Sequence, residues 1–143
     1  MLRIIATFSI ACFSGCATSK TPTSFDSVFR GEAAGASDVG VSGVIDTGGV
    51  NFYSLFSAAD RREGPGCIGL ILSRSDQKKA NILNGRKVFV RGKVIFRSDL
   101  NATLPNEYGE INGRPWSGTR CNGEALIYVT ELQPSTLVTH RGD

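Results

Sequence analysis

Between positions 38 and 133 apolar strand-like stretches, several with apolar residues at every second position, alternate with clusters of turn-forming polar residues, which predicts a mainly β domain. Val39, Val41, Gly43 and Ile45 fall on one face of a first strand. Asp46, Thr47, Gly48 and Gly49 then supply a turn into a second strand over 50–57. After a polar stretch containing Arg61, Arg62, Glu63, Gly64, Pro65 and Gly66, the apolar run 67–72 reads as a third strand. A short helix follows: Ser73 or Ser75 can cap it, Asp76 sits in its first turn, Ala80 and Leu83 share a face, and Asn84 with Gly85 ends it. In the long fourth strand Val88, Val90, Val94 and Phe96 alternate onto one face, with Gly92 at a bulge or bend. Residues 98–123 form a Gly, Asn and Pro loop with room for a hairpin, and 124–132 is the last strand. Upstream, Phe25, Val28 and Phe29 recur at helical spacing and predict a short docked helix.

The N-terminus follows a different pattern. Arg3 precedes an apolar stretch over 4–13 that is shorter than the roughly 20 residues a membrane-spanning helix needs, and small residues close it. Phe13, Ser14, Gly15 and Cys16 resemble the processing box of bacterial lipoproteins, with Phe13 in place of the usual Leu. The resemblance implies removal of 1–15 and acylation of Cys16, with Ala17 in the following position resembling outer-membrane sorting. Cleavage by ordinary signal peptidase near Gly15 or Ala17 is the alternative, and it also exports the chain. The expected organisation is a leader over 1–15, a tether and extension over 16–37, the β domain over 38–133 and a tail over 134–143. The expected location is the cell envelope, on an outer membrane facing the periplasm.

If Cys12 leaves with the leader and Cys16 carries lipid, Cys67 and Cys121 remain for the folded domain. An oxidising compartment would pair them. A redox or metal pair is the competing reading, with neither a CxxC spacing nor a neighbouring His to support it.

Three strands, a helix and two further strands, with Gly43 and Gly92 inside strands, resemble the element order of the OB-fold, a five-stranded Greek-key barrel. The resemblance covers about 38–132 and implies that the third and fifth strands run parallel with their starts adjacent. Cys67 and Cys121 stand at or just before those starts. Another small antiparallel barrel or sandwich is the competing architecture.

Chemistry is sparse. The net charge of +3 and the inferred location argue against a nucleic-acid binder. The one histidine, His140, lies near the C-terminus, so His-based triads and His-rich metal sites lack material. Glu107 and Glu110 could pair as acid and base, although two acids in a polar loop are usually solvated. The reading is therefore non-enzymatic, with no cofactor and no metal. The final Arg141, Gly142 and Asp143 spell an integrin-type tripeptide, which a chain end produces by chance.

Two constellations suggest binding surfaces. Between 74 and 97 the chain holds Arg74, Lys78, Lys79, Arg86, Lys87, Arg91, Lys93 and Arg97 against the single acid Asp76. On the fourth strand Lys87, Phe89, Arg91, Lys93, Ile95 and Arg97 alternate onto the face opposite the valines. Such a face suits an anionic envelope component or an acidic protein; the plainer alternative is a solvated face whose charges deter edge pairing. The second constellation is Arg114, Pro115, Trp116 and Arg120 before Cys121, where Trp116 either faces a partner or folds inward as a lid on one end of the barrel. A ligand-binding module and a structural partner with an exposed apolar patch are the two leading functions, and an envelope hydrolase is the third.

Overall fold

A computed structural model describes residues 23–33, 38–49, 52–58, 66–100, 108–117, 121 and 124–135. Its elements are α1 (Phe25–Phe29), β1 (Val39–Gly49), β2 (Phe52–Phe56), β3 (Cys67–Ile71), α2 (Arg74–Ile82), β4 (Lys87–Phe96), β5 (Tyr108–Ile111), β6 (Arg114–Ser117) and β7 (Ala125–Pro134). A 3-10 turn over Arg97–Leu100 follows β4. Five strands close a barrel in the order β1-β2-β3-β7-β4, and β5 and β6 form a separate hairpin. Every pairing in the barrel is antiparallel except β3 with β7, which run parallel from Gly69 opposite Leu126 to Ile71 opposite Tyr128. This is the expected OB-like Greek-key barrel, with one short helix between its third and fourth strands.

The period-two pattern builds the barrel because each strand must bury one face. Val39, Val41 and Ile45 of β1 meet Leu55, Ile68, Leu70, Val88, Val90, Ile127 and Val129 in one core cluster. Helices close both ends. Ala80 and Leu83 of α2 enter the core at one end, and the Gly85 amide donates to the Ile45 carbonyl at 2.9 Å. Ser73 caps that helix: its Oγ accepts from the Asp76 amide at 3.2 Å and donates to the Asp76 carboxylate at 2.6 Å. At the other end α1 inserts Val28, fully buried, so the segment before the barrel contributes to its core. Gly31 then lies against the Phe96 ring and Gly66 against the Phe29 ring.

Two strand details differ from expectation. The turn expected over Asp46–Gly49 is strand: Asp46 pairs with Ser54 and Gly49 with Phe52, with a register irregularity between them, which moves the connection to residues 50 and 51, outside the described residues. The last strand runs on to Pro134, opposite Val88, and the Ser135 amide donates to the Lys87 carbonyl at 3.0 Å. Gly92 does mark a register shift. Arg91 faces Glu131 and Gly92 faces Val129, so the extra residue, Thr130, lies on β7. A side chain at Gly92 would meet the Tyr128 carbonyl oxygen at 2.2 Å.

Cys67 and Cys121 form a disulfide, with Cα atoms 4.9 Å apart. Parallel pairing of β3 with β7 sets the starts of both strands side by side, within the separation a disulfide spans. Phe52 and Phe56 pack around the bridge.

Candidate binding surface

Strand β4 presents the expected outer face. Lys87, Arg91 and Lys93 are exposed and Phe89 is half-buried, while Val88, Val90 and Val94 point into the core. The neighbouring strands determine what surrounds these residues. On β1, Ser42 lies opposite Phe89 and Gly40 opposite Arg91; on β7, Gln133, Glu131 and Tyr128 lie opposite Phe89, Arg91 and Lys93. The Phe89 ring leans over Gly40, where a Cβ would stand 2.6 Å from it. Ser42, Phe89, Gln133, Pro134 and Ser135 line a shallow depression on this wall. The Arg91 guanidinium lies 5.7 Å from the Phe89 centroid and 3.7 Å from the Glu131 carboxylate, with both charged side chains 45% exposed. Such an exposed pair contributes little to stability and leaves Arg91 able to exchange partners. Glu131 is an acid of this wall.

The hairpin adds a fourth cation to this wall. Asn112 and Gly113 both take positive φ, 49° and 74°, the conformation of a two-residue turn that matches the twist of the strands. This turn sets Arg114 over β7, where its guanidinium stacks 4.2 Å from the Tyr128 centroid and donates to the Val129 carbonyl. Tyr128 faces Lys93, so the two constellations seen in the sequence meet through it. Tyr128 itself went unnoticed in the sequence. Its position opposite Lys93 depends on the β7 bulge, which no local pattern announces.

Other candidates take structural roles. Trp116 is 7% exposed and packs with Ile71 and Leu126. It therefore neither faces a partner nor closes the end of the barrel. Ile71 and Leu126 are outward residues of β3 and β7, so the indole lies against the outer wall, with Gly109 giving it room on the hairpin. Arg97 is half-buried, and its guanidinium donates to the Cys121 carbonyl at 2.7 Å. It braces the approach to the disulfide in place of extending the basic face. Glu110 is exposed, and its expected partner Glu107 lies outside the described residues, as do Cys16 and Arg120.

Among the described residues, no three His, Cys, Asp or Glu side chains gather as a metal site, and no helix is long and apolar enough to cross a membrane. No protein-family model matches the chain, and no curated protein is significantly similar to it.

Proposed function

We propose that this is an exported, lipid-anchored binding module of the bacterial cell envelope, non-catalytic, whose outer β4–β7 wall recognises an anionic partner. The observation that carries the reading is the convergence of Lys87, Arg91, Lys93 and Arg114 with Phe89 and Tyr128 on one side of the barrel. Edge protection does not account for Arg91. Over 88–92, β4 is paired with β1 on one side and β7 on the other, so that stretch has no open edge to guard. An apolar protein interface has less support: among the described residues, Ile82 is the exposed large hydrophobic side chain, and it stands alone. The lipoprotein part of the reading rests on Phe13, Ser14, Gly15 and Cys16.

Two measurements test the proposal. Intact mass of the membrane-fraction protein should show a chain that begins at an acylated Cys16. The full chain with Cys16→Ser should bind labelled polyphosphate in a salt-dependent way, and Arg91→Ala with Lys93→Ala should abolish most of that binding while leaving the melting temperature within a few degrees of wild type. Equal polyphosphate binding by both proteins would overturn the assignment of the wall, and an unacylated chain would overturn the anchor.

A further inference from the structure

We infer that the anionic partner of the β4–β7 wall is a glycan whose sugar rings carry carboxylate or phosphate groups, and that Phe89 is the platform on which one ring stacks. The inference rests on the function proposed above and adds the chemical class of the ligand.

The register across three strands carries the argument. Ser42 of β1 and Gln133 of β7 lie directly opposite Phe89 from its two sides, so the three side chains share the outer face in one row. Lys87 and Arg91 stand two residues before and after Phe89 on β4, each about 7 Å away along the strand and on the same face. An aromatic ring is thus bracketed by a hydroxyl and an amide across the sheet and by a cation at each end along it. Ser42, Gln133, Lys87 and Arg91 are exposed. Pro134 and Ser135 complete the rim of the depression, whose volume is about 260 Å³. Pockets that enclose a whole small ligand hold roughly 300–1,000 Å³, so an occupant of this one lies across the wall and extends beyond it.

Each part of the row answers a different part of an acidic sugar. The Phe89 ring rests on Gly40, where a Cβ would stand 2.6 Å from it, so glycine lets the ring lie close on the β1 backbone. Half-buried, the ring still lines the depression. Its face is electron-rich, and the C–H groups on one side of a pyranose are apolar and weakly positive, so the two stack. The Gln133 amide and the Ser42 hydroxyl both donate and accept, which matches the mixed character of sugar hydroxyls. A bare polyphosphate has no apolar face and accepts hydrogen bonds without donating them, so it uses the cations and leaves Phe89 idle. The Arg91 guanidinium lies 5.7 Å from the ring centroid, and its pair with Glu131 is exposed on both sides. Exchange of that weak pair brings a planar, two-pronged donor to a carboxylate or phosphate at the edge of the stacked ring.

Calorimetric titration of the full chain with Cys16→Ser tests the inference with oligogalacturonate, its methyl ester, phosphomannan and unphosphorylated mannan. At least one acidic glycan should bind about tenfold or more tighter than its neutral counterpart, and which one binds separates carboxylate from phosphate as the recognised group. Phe89→Leu should weaken that glycan about tenfold and Gln133→Ala about threefold or more, while both leave polyphosphate binding unchanged. Gln133 is exposed, so its variant reports on the ligand even where Phe89→Leu lowers stability. Glycan affinity untouched by both variants would overturn the inference. So would a Phe89→Leu loss confined to polyglutamate, which would make the ligand an acidic peptide. If neither acidic glycan binds although polyphosphate does, the glycan inference fails and the anionic-partner reading survives; if polyphosphate binding is absent as well, both fail.

Discussion

Breaking the disulfide by Cys121→Ser tests the fold at its topologically most demanding point. The bridge joins residues 54 apart in sequence. In the chain-entropy account, closing a loop of that length removes about 14 cal/mol/K from the unfolded ensemble, which is about 4 kcal/mol at 25 °C. Serine adds a second loss: the site is 3% exposed, and a hydroxyl buried there without a partner costs about 1 kcal/mol or more. Against a total stability of roughly 5–15 kcal/mol, the single variant should lose a large share of the folded state's margin. Urea unfolding followed by far-ultraviolet circular dichroism measures this for wild type with and without dithiothreitol and for the variant. The reduced wild type should lose about 4 kcal/mol, and its m-value should rise because the unfolded chain expands. A Cys67→Ala, Cys121→Ala double variant separates the loop effect from the buried hydroxyl and should behave like the reduced wild type. Coincident oxidised and reduced curves, or free thiols in the exported protein, would refute the reasoning.

Three other substitutions probe the walls of the barrel. Trp116→Ala removes a buried ring from between the hairpin and the outer face of β3 and β7, and should cost about 3–5 kcal/mol in chemical denaturation; a loss below about 1 kcal/mol would mean the indole does not seal that face. Gly92→Ala forces a methyl group to 2.2 Å from the Tyr128 carbonyl oxygen, a backbone atom that cannot swing aside, so a loss of at least about 1–3 kcal/mol and a disturbed β4–β7 amide-exchange pattern are expected. An unchanged melting temperature would contradict the close approach of the two strands. Ser54→Ala should have the opposite sign, because the Ser54 hydroxyl is fully buried and has no hydrogen-bond partner among the described residues; a neutral result or a gain of about 1 kcal/mol is expected, and a loss above that would show that the hydroxyl bonds in solution.

The barrel was legible because β4 buries alternate residues and β3 is a short, continuously apolar and continuously buried run, and the Ser73 cap with Gly85 brackets α2 by local chemistry alone. Where the reading failed, distant contacts overrode local ones. Asp46, Thr47, Gly48 and Gly49 carry turn composition, yet pairing with β2 holds them in strand and one irregular step absorbs the mismatch. Trp116 stands among Gly, Pro and Arg, and it read either as a recognition residue or as a lid folded inward over one end of the barrel. Its burial comes from Ile71 and Leu126, which are distant in sequence and point out of the barrel rather than into it. Asn112 followed by Gly113 is a strong turn signal that could have located the hairpin. No signal in the sequence could have shown that this hairpin would bring Arg114 to Tyr128, since that meeting depends on the register of β7 against β4.

The described surface also explains why the β4–β7 wall is the place to look for function. A barrel of five strands has two ends and a continuous outer face, and most of these regions are already occupied. Val28 of α1 and Ala80 with Leu83 of α2 fill the ends. The outward residues of β3 and the adjoining part of β7 are covered by Trp116 and Ile111 of the hairpin, and the start of β3 carries the disulfide with Phe52 and Phe56 around it. Apolar outward positions thus occur where another element covers them. On β4 the outward residues Lys87, Arg91 and Lys93 are exposed, and Ile95, nearer the hairpin, packs with Ile71, Trp116 and Leu126. A sequence that puts Ile71 and Leu126 under a hairpin, and exposed cations with a half-buried Phe on the adjoining wall, separates a face it packs itself from a face it leaves to solvent, and the second is where the proposed anionic partner would bind.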